Sequence, residues 1–225
     1  MTDHLHNVFW SALNGPQAHL ACGSDTARRY ARGYTPLLGF ADPQAPDFAA
    51  LAPFCEAGEQ FYCADWTGPA QPGWKVDLEA SMYRMAWDAE MPGDDAAPES
   101  VPLRAEQVDQ AVQLAALTRP GPFGPRTIEM GEYFGLFEGS RLVAMSGERM
   151  HAPGLREVSG VCTHPDFQGR GLARRLMEKL IRRQLQRGER PFLHVMAANA
   201  GAVRLYERMG FVIYRECPVR VVTRT

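Results

Sequence analysis

The stretch Val161-Cys162-Thr163-His164-Pro165-Asp166-Phe167-Gln168-Gly169-Arg170-Gly171-Leu172-Ala173 decides how the rest of the chain is read. An apolar β-rich run ends at Thr163, a loop follows, and the loop opens a helix over Gly171 to Arg187. In that helix Leu172, Ala173, Leu176, Met177, Leu180, Ile181 and Leu185 share one face. Arg174, Arg175, Glu178, Lys179, Arg182 and Arg183 fall on the other, and Gly188 sits where a C-terminal cap belongs. Gly169 and Gly171 lack a Cβ, so a ligand can approach their backbone closely. The amides from Gln168 to Ala173 are the unpaired donors of a helix start and carry the positive end of its dipole. That combination suits an anion such as a pyrophosphate, with Arg170 adding a formal charge. A tight turn without a ligand is the plainer reading of Gly-x-Gly. A dinucleotide fingerprint fails, because its third glycine position is Arg174 and no acid ends a strand at the right distance.

Working outward, a strand is expected over Leu155 to Thr163, another over Phe192 to Met196, and a helix over Asn199 to Met209. Phe211 to Tyr214 and Val219 to Val222 read as final strands. Tyr133 to Phe137 and Leu142 to Ser146 flank Glu138-Gly139-Ser140-Arg141, which has the chemistry of a hairpin turn. Ala105 to Leu117 reads as an amphipathic helix, stopped by Arg119-Pro120-Gly121-Pro122-Phe123-Gly124-Pro125, where three prolines and two glycines force a loop. The alternation of elements gives a mixed α/β sheet. The break Met91-Pro92-Gly93-Asp94-Asp95-Ala96-Ala97-Pro98 has no apolar period and reads as a linker. Before it, short helices are expected at Val8 to Leu13 (N-cap Asn7) and Asp47 to Phe54 (N-cap Asp47). Strands are expected at Gln60 to Asp65 and Met82 to Trp87.

A second motif joins the first: Asn199-Ala200-Gly201-Ala202-Val203-Arg204-Leu205-Tyr206-Glu207-Arg208-Met209-Gly210-Phe211. Together the two stretches resemble the signatures of the GNAT superfamily of acyl-CoA-dependent N-acyltransferases. Gln168 to Ala173 is similar to its Gln/Arg-x-x-Gly-x-Gly/Ala core, here in the form Gln-Gly-x-Gly-x-Ala. The second stretch is similar to Asn-x-x-Ala-x-x-Leu-Tyr-x-x-x-Gly-Phe. The likeness runs from about Ser100 to Val222. The whole chain, including Thr118 to Gly124, is also similar to a bacterial subgroup of uncharacterised GNAT proteins.

The resemblance implies a GNAT fold: a mixed, mostly antiparallel sheet whose two central parallel strands splay apart, flanked by helices. A domain over 96–225 is then preceded by an α/β accessory region, 1–95, which would be a diverged partial copy of the same fold. It implies acetyl transfer from acetyl-CoA, as cosubstrate, to a primary amine of a small molecule, amino acid or peptide. Val161, Cys162 and Thr163 would meet the pantetheine arm. Gln168, Gly169, Arg170, Gly171, Leu172 and Ala173 would hold the pyrophosphate, and Asn199 would hydrogen-bond the cofactor or simply cap its helix. Tyr206 matches the tyrosine that protonates the departing CoA thiolate; alternatively it is a core side chain. Glu157 is the candidate base, because alternation puts Glu157, Ser159 and Val161 on one face of a strand where family bases occur. Its plainer reading is a structural carboxylate. The rival functions are a non-catalytic acyl-CoA-binding sensor and a transferase of longer acyl chains.

Bulk properties exclude several classes. The chain has 225 residues, 45% hydrophobic and 22% charged, with a net charge of -2, which offers nucleic acid and anionic lipid no bulk attraction. The basic run Arg170 to Arg190 reads as a solvated helix face with phosphate contacts. Five cysteines without zinc-like spacing suggest free thiols in a reducing cytoplasm, and no metal is expected. Cys162 reads as inert, and His164 and His194 as structural or surface residues. Arg119 and Arg126 are candidate receptors for an acceptor's carboxylate. No membrane span is expected, and the state would be monomer or homodimer.

Overall fold

The computed structural model describes residues 3–225. In chain order its first elements are helix α1 (Val8–Leu13), strands β1 (Ala21–Gly23), β2 (Ala27–Tyr30) and β3 (Leu38–Phe40), helix α2 (Phe48–Leu51), and strands β4 (Gln60–Ala64) and β5 (Trp74–Trp87). The short β6 (Val101–Pro102), helix α3 (Val108–Thr118), and strands β7 (Tyr133–Glu138), β8 (Arg141–Ala152) and β9 (Leu155–Thr163) follow. Helix α4 (Leu172–Gln186), strand β10 (Arg190–Met196), helix α5 (Ala200–Met209) and strand β11 (Phe211–Arg224) complete the chain. No helix among the described residues is long and apolar enough to cross a membrane.

Eight strands form one sheet in the order β4-β11-β5-β10-β9-β8-β7-β6, and β1-β2-β3 form a small second sheet. Every pair in the large sheet is antiparallel except β9 with β10. One face carries α4 and α5. Leu176, Met177, Leu180 and Ile181 are fully buried there against Met85, Val158, Leu193 and Phe211, as the helical spacing predicts. The opposite face carries α1, whose Val8, Phe9, Ala12 and Leu13 pack on Met150, Ala152 and Phe192. It also carries α3, whose Ala111, Leu114 and Ala115 pack on Tyr133, Met145 and Cys162.

The boundary expected near residue 95 does not separate two bodies. β5 lies inside the sheet, paired with β10 through Met82 to Ala86 and with β11 along its whole length. The segment before residue 95 supplies β4 and β5 of the eight-stranded sheet and α1, which covers it. The proline-rich break is also not a free linker. It lies along α4, where Lys179 Nζ reaches Asp95 at 2.6 Å, Arg175 donates to the Ala96 carbonyl at 2.8 Å, and Ala97 is buried.

Local details follow side-chain chemistry. Asp47 caps α2, accepting from the Ala50 amide at 2.9 Å, and the helix turns into a 3₁₀ segment at Ala52–Phe54. Asn7 does not cap α1; it donates to the Phe40 carbonyl at 2.8 Å and ties the helix to β3. The two strands expected near the C-terminus are one. A register shift between Ile213 and Arg215 carries β11 through the intervening residues and leaves Val212 and Ile213 both exposed.

Candidate active site

Past Thr163 the chain makes a 3₁₀ turn over Pro165–Phe167, started by a bond from the Asp166 amide to His164 Nδ1. Gly169 and Gly171 then adopt φ of 75° and 73°. Side chains rarely take that backbone conformation, and a Cβ built at either glycine would meet nothing within 4 Å. The space above the loop is open. Gly171 is the N-cap of α4 and offers no side-chain acceptor, so the first-turn amides of the helix have no side-chain cap. The Arg170 guanidinium lies 4.8 Å from the Phe167 ring and is exposed. This is a cradle for an anionic group, with the dipole of a 15-residue helix behind it.

The loop lies at the wide end of a gap in the sheet. β9 and β10 pair only at Leu155 with Arg190, Arg156 with Pro191, and Glu157 with Phe192. Beyond those pairs β9 stays with β8, as far as Thr163 opposite Ala144. β10 stays with β5, as far as Met196 opposite Met82. Two parallel strands thus diverge and leave facing backbone edges unpaired, an arrangement that receives an extended, amide-bearing chain. A register shift between Gly147 and Met145 places a bulge in β9 at Gly160, where φ is 61°. The bulge corrects the alternation expected of this strand. Val161 packs with α4 and α5, whereas Glu157 is on the opposite face, bonded to a histidine that stands edge-on to Phe9 of α1.

Glu157 is fully buried. Arg149 Nε and Nη2 bind its two oxygens at 2.9 and 2.7 Å, and His194 Nδ1 lies 2.8 Å from Oε1. Burial alone would raise its pKa, yet the charge and hydrogen bonds of Arg149, with help from His194, hold it at about 2. A carboxylate so placed is a poor proton acceptor for an amine, and the structure does not suit Glu157 to the role of base. His194 is equally committed. Its Nε2 accepts from Arg84 Nε at 3.0 Å, and burial lowers its pKa, so the ring is neutral and donates Nδ1–H to Glu157. Arg84, itself fully buried, continues to Asp65 at 3.0 Å and to the carbonyls of Leu5 and His6 at 2.8 and 2.7 Å. A polar belt therefore runs from β8 across β9 and β10 to β5 at the point where the strands part.

Asn199 caps α5, accepting from the Ala202 amide at 3.2 Å. Tyr206, on the same helix, packs edge-on to Phe211 with ring centroids 6.2 Å apart. Its hydroxyl makes no hydrogen bond among the described residues, and burial pushes its pKa up to about 12. It is thus a neutral O–H donor at any physiological pH.

A solved structure from Novosphingobium aromaticivorans, described as an acetyltransferase of the GNAT family, matches over 99% of this chain and 100% of its own, with a TM-score of 0.88 and 36% identity. The chain belongs to the GNAT family. The FR47-like protein family, by its sequence profile, matches residues 133–220. Two curated relatives align over shorter stretches. The catalytic subunit NAA20 of the N-terminal acetyltransferase B complex from Arabidopsis thaliana is 32% identical over 94 residues, 41% of this chain and 48% of that protein. The ribosomal protein bS18-alanine N-acetyltransferase of Salmonella typhimurium is 48% identical over 52 residues, 23% of this chain and 35% of that protein. The chain spans about half or less of the length of these curated relatives.

Within the GNAT frame the structure brings Val161, Cys162 and Thr163 to the diverging edge, Gln168 to Ala173 to the loop at its wide end, and Asn199 to the cap of the next helix. Glu157 stands apart, sealed into the belt. Cys162 is buried against α3 and burial pushes its thiol up to about 11, the state of an inert thiol. Arg126 is engaged by Glu129 at 2.8 Å and lies over Tyr34, so it is not a free receptor for a carboxylate. Arg119 stays exposed at φ 51°. A cavity of about 490 Å³, lined by Leu103, Tyr133, Phe134, Lys179 and Arg183, lies at the β6–β7 edge, with β8 between it and the gap. The uncapped helix amides and the unpaired strand edges lie at the gap. Sequence reasoning passed over Tyr133, whose hydroxyl is buried without a partner among the described residues; nothing in its local pattern distinguishes it from an ordinary strand aromatic.

Proposed function

We propose that this GNAT chain transfers an acetyl group from acetyl-CoA directly to the α-amine of a peptide or protein. The parting of β9 from β10 beyond Glu157 and Phe192, with the open glycine loop at its wide end, carries that reading. Gly169, Gly171 and the first amides of α4 would bind the pyrophosphate, with Arg170 beside it. The unpaired edge of Val161 to Thr163 would hydrogen-bond the pantetheine amides and hold the thioester in the gap. Holding amine and thioester together supplies most of the acceleration. In the transfer the amine nitrogen bonds to the acyl carbon, the carbon–sulfur bond breaks, the amine gives up a proton, and the thiolate takes one from Tyr206.

The commitment of Glu157 and His194 to the belt bears on the acceptor. Deprotonating an α-amine at pH 7 costs about 1 to 1.5 kcal/mol, whereas a lysine amine costs roughly 4.6 kcal/mol. A site whose nearest carboxylate and imidazole are both engaged favours the less basic amine, with water taking the proton. One curated relative named for an N-terminal acetyltransferase complex and another named as a ribosomal-protein alanine N-acetyltransferase support the same class.

Calorimetric titration with acetyl-CoA, followed by CoA release with alanine-initiated peptide, free lysine and spermidine, tests this. Binding with peptide-dependent release supports it; turnover on lysine alone would contradict the acceptor class, and no binding would sink the whole reading. Tyr206→Phe should lower turnover at least about tenfold while acetyl-CoA affinity stays unchanged. Unaltered turnover would remove the acid role from Tyr206.

A further inference from the structure

We propose that Tyr133 carries the hydroxyl that receives the acceptor amine, an inference that rests on the acyl-transfer reading above. Tyr133 opens β7 and is buried on the α3 face of the sheet. Glycines cut the slot for its ring. A Cβ on Gly147 would fall 2.1 Å from the ring, and one on Gly160 would fall 3.0 Å from Cε1 and 3.6 Å from Oη. Any side chain at Gly147 would expel the ring. The hydroxyl is thereby held beside the bulge of β9, across the sheet from Tyr206, which packs with α4 and α5. One phenol flanks the diverging strand from each face.

The hydroxyl has no hydrogen-bond partner among the described residues. A buried O–H in that state has lost its bonds to water and gained none, which is uncommon and destabilising. The ionisable groups around it are otherwise occupied. Arg149 and Glu157 bind each other, Glu148 is held by Arg187 and Gln184, and Cys162 is a buried thiol. Among the described residues Tyr133 Oη is an uncommitted polar atom beside the bulge on the α3 face, and Ser146 Oγ, opposite the bulge in β8, is a second. Burial keeps the phenol protonated, so its oxygen accepts an N–H from a neutral amine and leaves the nitrogen lone pair for the acyl carbon.

Access runs under Phe123, whose ring stands edge-on to Tyr133 at 5.7 Å and whose Cε2 would lie 3.5 Å from a Cβ on Gly160. Phe123 belongs to the proline-rich loop, and at Gly121 a Cβ would meet nothing within 4 Å. The outer tip of the loop thus faces open space, and on this proposal the Phe123 ring moves aside to admit the amine.

Tyr133→Phe removes the oxygen and keeps the ring in its slot. With an alanine-initiated peptide, kcat/KM should fall about tenfold or more, acetyl-CoA affinity by calorimetry should not change, and the thermal midpoint should hold or rise. A midpoint that holds or rises while activity falls separates a substrate-facing hydroxyl from a structural one. Unchanged kcat/KM in the folded variant, or a lowered midpoint, would overturn the assignment. Failure of the unaltered protein to bind acetyl-CoA would instead remove the acyl-transfer reading, and this one with it. Normal binding with undiminished peptide turnover would remove the role of Tyr133 alone.

Discussion

Gly169→Asp should abolish acetyl-CoA binding, by at least about 100-fold or roughly 2.7 kcal/mol, while the protein stays folded. The loop at Gly169 has φ of 75°, a conformation that aspartate tolerates better than most residues. Its Cβ would point into open space rather than into the protein. A carboxylate there lies near the positive end of α4, where negative charge is favourable to the helix. The same property makes it an internal competitor: it fills and charges the volume in which a pyrophosphate must sit. Gly169→Ala provides the control. It carries the same backbone cost without charge and should weaken binding much less. Calorimetry on both variants, with thermal midpoints, is the measurement. Normal affinity in a folded Gly169→Asp protein would mean that the loop is only a turn.

Arg149→Met should lower the unfolding free energy by about 3–5 kcal/mol. Arg149 and Glu157 are both buried, and removing the cation leaves a carboxylate in the sheet with only His194 and the Met150 amide for company. Replacing both members by apolar residues should restore much of the loss, because the cost lies in the uncompensated charge more than in the missing bond. The pair also fixes an acid dependence. The folded-state pKa of Glu157 lies at about 2, below its ordinary value of 4.5. A depressed carboxylate pKa contributes stability that is fully present above 4.5 and is lost as the pH falls toward 2. Urea unfolding at pH 7 and pH 3 checks both points. The unaltered protein should lose stability on acidification, and Arg149→Met should lose less. Equal midpoints for the two proteins at pH 7 would refute the ion pair's role.

The ligand cradle was legible because it is local. A strand end, two glycines and the register of Leu172 to Leu185 fix the loop-to-helix turn from neighbouring residues alone, and the same holds for Asn199 capping α5. The surroundings of Glu157 were hidden for two reasons that are not local. Its alternation with Val161 fails because of a bulge that Gly160 permits, and a glycine in a strand does not announce which way it bends the chain. Its partners come from β8 and β10, so the bidentate Arg149 and the bridging His194 are invisible until strands are paired. The placement of residues 1–95 was hidden in the same way. Trp74 to Trp87 reads locally as a strand over its apolar half, but no local pattern says that it will sit between β10 and β11. The strands β1 to β3 are too short to give a period.

That central position of β5 has a consequence for synthesis. Both of its neighbours, β10 and β11, lie near the far end of the chain, so on the ribosome β5 emerges long before either edge can be covered. The middle of the sheet closes only when the last strand arrives. Such closure across most of the sequence makes folding slow and cooperative, and it leaves a long, half-apolar strand open to wrong partners in the interval.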